Sequence, residues 1–322
     1  MGKYFKRAFY TIFLLFIAGV AIWGYTLTKS KGDKGLETIT IGYQAGDPID
    51  ISKAHGQLVK KMAAKGYRIV FKEFQNGAAE MEAMSSGTID FARTGDTPPV
   101  TAAANGTKLS LVAAGSSKSN GSGLVVKKNS SIKAIKDLKG KKIAYTTNTS
   151  SQYMVLKVLK QAGLSTNDVK LMDMSQSAAA VAFAKGKVDA WANWDPSTAQ
   201  AELTYKGRML VNGTKVDVNN RDVLISGQYA SNHKTATQLL IQYLSEDMDW
   251  ANTHKSKLVT LMSKKLKLSK AVVSRMVNRR IYKFSAMTTE TTNEEQAIAD
   301  LLYQEGITKK HITMSDYVLN LN

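Results

Sequence analysis

One short pattern occurs twice in the chain, and it restricts the fold more than any other feature. Gly87-Thr-Ile-Asp90 and Gly186-Lys-Val-Asp189 each end a helical stretch and begin an apolar one. Before and into the first copy, residues 38–43 (TITIGY) read as a strand and 54–64 as a helix with Leu58 and Met62 inward and Gly66 at its end. Residues 67–74 (YRIVFKEF) alternate as a strand, 79–85 form a short helix and 89–92 another strand. Around the second copy the order recurs: strand 142–146, helix 151–162 closed by Gly163, strand 168–172, helix 178–184 and strand 188–191. Ile41 stands 49 residues before Asp90, and Ile143 stands 46 before Asp189. A βαβαβ order implies a parallel sheet with helices on its faces, and two copies at matched spacing imply two similarly built α/β lobes.

These readings divide the chain into a first lobe over 38–126, a second over 127–217, and a return to the first over 218–322 that completes it with helices. The boundary is expected near Leu124–Lys127 and the return crossing around Val216–Gly227. Two lobes joined by two crossings enclose a cleft that can close by hinge motion around a ligand. In open α/β sheets ligands lie beyond the carboxyl ends of the strands, where helix amino termini point.

The chain's 322 residues suit this size, and 43% hydrophobic with 22% charged residues is a globular composition. The absence of cysteine excludes disulfides, thiolate metal sites, a cysteine nucleophile and a lipid-modified cysteine anchor. Lys3, Lys6 and Arg7 precede an uncharged run from Ala8 to Thr28, 21 residues long, with Trp23 and Tyr25 near its outer end. That length spans a bilayer as a helix. The segment 1–29 reads as a signal anchor, or as a cleaved signal peptide with Gly19 and Ala21 before the cut, and 30–37 as a polar tether. Either reading puts the bulk of the chain outside the cytoplasm, in the cell envelope.

Beyond residue 29 there remain 40 basic against 26 acidic residues, so the leader does not explain the net charge of +18. Between Ala251 and Thr289 ten Lys and Arg occur without an acidic residue. Segments 258–268 and 271–281 have helical apolar spacing there. The region reads as a solvated helix face, or as a surface attracted to anionic lipid or wall polymer. Nucleic acid is not an expected partner of an exported chain.

Helix-start chemistry recurs where the cleft is expected. Thr97 before Pro98 reads as N-cap then N1, Asp195-Pro196 repeats the arrangement after Trp194, and Thr149-Ser150-Ser151 opens the helix carrying Met154, Val155, Val158 and Leu159. Each cap taken alone merely ends a helix. Several converging on one cleft would make a neutral anion pocket of backbone N–H groups and small hydroxyls.

Three stretches then carry a resemblance. FARTGDTPP (91–99), DLKGKKIA (137–144) and DAWANWDP (189–196) resemble the aliphatic sulfonate-binding proteins of ABC importers, relatives of the taurine- and nitrate-binding proteins, with similarity from about Ile39 to Glu202. The resemblance implies a two-lobed type II periplasmic-binding fold. It also implies capture of a small organosulfonate for a permease and its ATPase, by a monomer that is not an enzyme and needs no cofactor or metal. The family's ligand positions match Gln44, Asp96, Thr97, Thr149, Ser150, Trp194 and Asp195, with Ser117 as a further polar contact. Tyr153 and Trp194 either cover the organic part of the ligand or pack between the lobes. A sulfonate offers three acceptor oxygens that N–H groups and hydroxyls can satisfy.

Departures from the family pattern bear on the substrate. Asp47 or Asp50 either receives an ammonium or caps a helix at Ile51. Arg93, where a small residue is common, pairs with the anion or with Asp96, and Ser197 replaces an aromatic and widens the pocket. Alternatives are a taurine, nitrate or other small-anion receptor, a same-fold enzyme of the desulfinase or pyrimidine-synthase type, and an envelope adhesin using 251–289. The four histidines (His55, His233, His254 and His311) lie at no metal-binding spacing.

Overall fold

The computed structural model describes residues 35–321, so the leader 1–29 and most of the tether lie outside the described residues. No helix among the described residues is long and apolar enough to cross a membrane.

Two sheets organise the chain. The first begins with β1 (Glu37–Gln44), followed by α1 (Pro48–His55), α2 (Gln57–Ala63), β2 (Tyr67–Phe74), α3 (Gly77–Ser85), β3 (Phe91–Thr94), α4 (Thr97–Ala104) and β4 (Ser110–Gly115). The second takes β5 (Ser122–Lys127), β6 (Lys142–Tyr145), α5 (Ser150–Ala162), β7 (Lys170–Asp173), α6 (Gln176–Ala184), β8 (Ala190–Trp194), α7 (Ser197–Leu203) and β9 (Gly207–Asn212). The chain returns through β10 (Val223–Ser226), α8 (Tyr229–Asn232), α9 (Lys234–Thr253), α10 (Lys255–Leu266), α11 (Lys270–Asn278), β11 (Phe284–Ala286) and α12 (Thr289–Gln304). The first sheet has the order β11-β4-β10-β3-β1-β2 and the second β7-β6-β8-β5-β9.

The repeated Gly-x-x-Asp segments do the same work in both sheets. Gly87 and Gly186 take the left-handed conformation that ends α3 and α6. Asp90 then accepts the Thr40 amide on a carboxylate oxygen at 2.7 Å and donates its own amide to the Thr40 carbonyl at 2.9 Å. Asp189 brackets Lys142 in the same way, at 2.8 and 2.9 Å. Each motif thus pins the third strand of its unit to the first, setting the registers Ile41↔Phe91 and Ile143↔Ala190.

Three expectations are corrected. The helix read over 54–64 is two helices: the first starts at Pro48 under the Asp47 cap and stops at Gly56, whose φ of 79° breaks it before Gln57. Residues 122–126, expected at the end of the first lobe, belong with Lys127 to a strand that pairs with β8 and β9 in the second sheet. An apolar run declares a buried strand but not which sheet it joins. Residues 284–286 add an unforeseen edge strand, β11, to the first sheet beside β4. The basic region forms α10 and α11 with Leu258, Met262, Val273, Met276 and Val277 buried, so both are amphipathic helices against the first sheet's core.

Two crossings connect the sheets, one between β4 and β5 and one between β9 and β10. They hydrogen-bond to each other: the Gly115 amide to the Asp222 carbonyl at 2.7 Å, and the Lys118 amide to the Asn219 carbonyl at 2.8 Å.

Candidate functional site

The cleft lies where loops after β1, β3, β6 and β8 face one another. After β6, Thr149 is the N-cap of α5, its hydroxyl accepting the Ser151 amide at 3.2 Å and donating to the Thr146 carbonyl at 2.7 Å. Ser151 donates its hydroxyl to the Ala192 carbonyl at 2.7 Å, tying this helix start to β8. Thr149 and Ser150 are buried. The first turn of a helix leaves backbone N–H groups without intrahelical partners, so this start presents neutral donors.

After β3 the arrangement differs from the expectation. Thr97 is the first residue of α4 rather than its cap, and Asp96 stands at the cap position without accepting a first-turn amide on its side chain. With Pro98 and Pro99 in the first turn, two of the usual donors are missing. The Asp96 carboxylate turns outward instead, accepting from the Ser150 hydroxyl at 3.0 Å, the Thr97 hydroxyl at 3.2 Å and the Arg221 amide at 3.1 Å. Asp96, Thr97 and Ser150 therefore meet, joining the two sheets' loops. Gly95 makes the meeting feasible: a β-carbon there would lie 2.5 Å from the Ser150 hydroxyl and 2.9 Å from the Asn220 side-chain oxygen. Burial raises the Asp96 carboxyl above its usual range against the pull of Lys118 and these donors.

After β1, Gln44 donates its side-chain amide to Glu80 at 2.7 Å, and its backbone amide to Asp47 at 2.7 Å. Asp47 caps α1 by accepting the Asp50 amide at 2.7 Å. Asp50 is not the cap; it accepts the Gly46 amide at 2.9 Å and pairs with Lys265 at 3.1 Å. Burial lifts the Asp47 carboxyl to about 6, outweighing the attraction of Arg93. Gly46 faces Pro196 across the cleft, its β-position 3.7 Å from the proline ring.

After β8, Trp194 is half-buried at the strand end. Asp195 accepts the Ala199 amide at 2.9 Å and pairs with Arg279 at 3.3 Å, so the second lobe is also tied here to the C-terminal part of the chain. Burial again prevails over the nearby arginine and raises this carboxyl to about 6. Tyr153, on the first turns of α5, lines with Asp96, Lys157, Asp217 and Glu294 a cavity of about 380 Å³ beside the crossings. Ser117 stays with the crossing, its hydroxyl accepting the Ser119 amide at 3.2 Å.

Arg93 pairs with Asp47 at 3.5 Å and directly with Asp222; its expected pairing with Asp96 does not form. Asp222, which the sequence reading missed, also takes Lys118 at 2.6 Å and Arg280 in a direct ion pair. No motif announces these residues. The one signal is the place of Asp222 within the expected return crossing, 216–227; nothing in the sequence points to Lys118 or Arg280.

The histidines sit elsewhere. His55 bonds Asp247 at 2.7 Å and stacks on Trp250, and His311 bonds Asp300 at 2.9 Å. Among the described residues no group of three or more His, Asp or Glu is arranged to hold a metal ion.

Comparison with known proteins gives this geometry a family. Residues 63–255 match the NMT1/THI5-like family. The chain belongs to that family. A protein of Escherichia coli (strain K12) named for binding aliphatic sulfonates is 31% identical over 278 residues, covering 86% of each chain. The alkanesulfonate-binding protein SsuA from Xanthomonas axonopodis pv. citri, solved bound to MOPS, superposes with a TM-score of 0.83 at 29% identity, over 88% of this chain and 98% of its own. The periplasmic aliphatic sulphonate binding protein SsuA from Escherichia coli gives 0.80 at 30% identity, over 88% and 97%. The two sheets and their crossings are thus a periplasmic-binding-protein-like fold shared with this family.

Proposed function

We propose that this protein is the extracytoplasmic solute-binding component of an ABC importer, closing on an aliphatic sulfonate between its lobes and presenting it to a permease. The observation that carries the reading is the meeting of two helix starts across the cleft, where Ser150 of α5 donates to Asp96 before α4 at 3.0 Å. A hydroxyl and amides that can exchange one acceptor for another are suited to a reversible, closure-coupled ligand. The family relatives, named as sulfonate-binding proteins, supply the ligand class.

In this reading Thr97, Thr149 and Ser150, with the first-turn amides of their helices, donate to the sulfonate oxygens. Gln44 and Ser117 add polar contacts from β1 and the crossing, and Asp96 and Asp195 position the donors around them. Tyr153 and Trp194 flank the organic part. Asp47 either serves α1 alone or tunes the pocket toward an ammonium-bearing ligand such as taurine. The relatives named above are binding proteins, which favours a receptor over a same-fold enzyme. The leader anchors the chain at the outer face of the membrane or is cleaved, and the receptor acts as a monomer with a permease and its ATPase.

The test is calorimetric titration of the full chain with ethanesulfonate, taurine, a longer alkanesulfonate, nitrate and sulfate. Tight binding of an alkanesulfonate is expected, weakened at least tenfold, or about 1.4 kcal/mol, in Thr97→Ala and in Ser150→Ala. A preference for taurine lost in Asp47→Asn would move the assignment to an aminosulfonate, and no heat with any of the five would overturn it.

A further inference from the structure

The first-lobe floor of the cleft holds a group of charges that the neutral-donor reading leaves without a task. Arg93 on β3, Lys118 on the first crossing and Arg280 after α11 all converge on the single carboxylate of Asp222. Their side chains are only 5%, 10% and 9% exposed. Asp47 reaches only Arg93, at 3.5 Å. The buried Nε atoms of both Arg93 and Arg280 have no hydrogen-bond partner.

Buried donors are nearly always satisfied, and a charged donor left unpaired is the most costly kind. A latch between the two crossings would need one cation on Asp222, and Lys118 already supplies it, since it lies on one crossing and Asp222 on the other. Two further arginines add positive charge where water is excluded. Mutual repulsion is felt there: Arg93 and Arg280 both press the Lys118 ammonium well below its usual range, after burial itself. The group lies beside the loops of the recognised motifs: Arg93 pairs with Asp47 at 3.5 Å, and Lys118 and Arg280 are near enough to Asp96 and Asp195 to favour their ionised forms.

We propose that Arg93, Lys118 and Arg280 form the charged seat for the head group of an anionic solute, with Asp222 as the internal counter-ion that holds the three cations together. This rests on the reading that the cleft takes a small anion. The seat accepts a compact oxyanion whose several acceptors can reach guanidinium and ammonium donors together, and it rejects a neutral isostere of the same shape. It makes the cleft two-sided, with fixed charge from the first lobe and neutral hydroxyls and amides from the second.

The full chain is titrated with ethanesulfonate and with ethyl methyl sulfone, its uncharged counterpart, in wild type, Lys118→Met, Arg280→Gln and Arg280→Lys, with the unliganded melting temperature of each. The expected result is ethanesulfonate binding weakened at least thirtyfold in Lys118→Met and Arg280→Gln, partly restored in Arg280→Lys, and no sulfone binding. Ethanesulfonate affinity unchanged in the folded Lys118→Met and Arg280→Gln variants, with a lowered melting temperature, would make the group a structural latch and overturn the seat while leaving the cleft reading intact. A wild type that binds no anion of the wider panel would remove both.

Discussion

The two sheets share one plan and differ in what they bring to the cleft. The orders β2-β1-β3 and β7-β6-β8 are the same parallel unit, and in each an antiparallel strand, β10 or β5, lies against the third strand. Even the Asp90 and Asp189 brackets correspond. Yet the first unit carries Arg93 at the end of β3 and Asp47 and Asp96 in its loops, all buried, whereas the second unit opens α5 with Thr149, Ser150 and Ser151. Common framework and unlike loops teach that the strand-pinning motif belongs to folding, while the residues just past β3 and β6 are the ones the proposed function gives to the ligand. Buried charges need partners at fixed distances; buried hydroxyls can re-aim. One lobe is therefore expected to be rigid at the cleft and the other adaptable.

The sharpest way to break this contrast is to remove one charge from the first lobe and one cap from the second. Arg93→Ala strips Asp47 of its arginine and Asp222 of one of its cations, and stability should fall by about 3–5 kcal/mol, as for other buried pairs that lose one member. Thr149→Ala removes a single N-cap acceptor and should cost about 1 kcal/mol. Chemical denaturation of both variants checks the difference, and equal losses would mean the first lobe's charges are no more structural than a cap. A smaller effect tests where the lobes touch. Gly95→Ala puts a methyl against Ser150 and Asn220, so the unliganded protein should lose about 1–3 kcal/mol and sulfonate affinity should drop about tenfold, roughly 1.4 kcal/mol, as denaturation and titration of the variant would show.

Legibility followed the range of the interactions involved. β2 appears at the residues its alternation marks, and α5 with its Gly163 stop differs by one residue, because cap, period and stop are all local. The first helix was misread because Asp47, Pro48 and Gly56 act together: a cap, a proline at N1 and a left-handed break move the start six residues and split the segment. β5 was given to the other lobe because sheet membership is a non-local choice among equally apolar strands. At the site, Thr149 and Ser150 were readable as a helix start. Lys118, Asp222 and Arg280 were not, since they are separated by 104 and 58 positions and each looks alone like a surface charge.

Asp195 is the second lobe's exception to neutrality, and pH sharpens its comparison with Asp47. Both carboxyls stand at about 6 in the fold, against an ordinary value of 3.8. The folded state therefore binds the extra proton more strongly. The resulting stabilisation is fully present below about 4 and is lost as pH rises through about 6. Wild type should gain about 1 kcal/mol relative to Asp195→Asn between pH 7 and pH 5, and a similar amount relative to Asp47→Asn. Urea melts at the two pH values check this. If one of the pair shows no gain, the arginine beside that carboxyl, Arg93 for Asp47 or Arg279 for Asp195, outweighs burial there.

The smallest expected effect probes a first-lobe acid that burial shifts toward its protonated form. Glu80 on α3 is fully buried and burial pushes its carboxyl well above the usual range, the nearby Asp47 adding to the push. One of its oxygens accepts from Gln44 at 2.7 Å, and the other has no partner. A carboxylate left in that position would carry an unsatisfied charged oxygen, whereas the protonated acid keeps the Gln44 bond and turns the second oxygen into a hydroxyl. Glu80→Gln preserves the acceptor and the shape, so it should change stability by less than about 0.5 kcal/mol, while Glu80→Ala, which empties the space and strands Gln44, should cost about 2 kcal/mol or more. A large loss in Glu80→Gln would require an ionised Glu80 sharing the attraction of Arg93. The first lobe's positive group would then be more fully balanced than the second lobe's neutrality demands, and the division of labour between charged floor and hydroxyl lid would narrow accordingly.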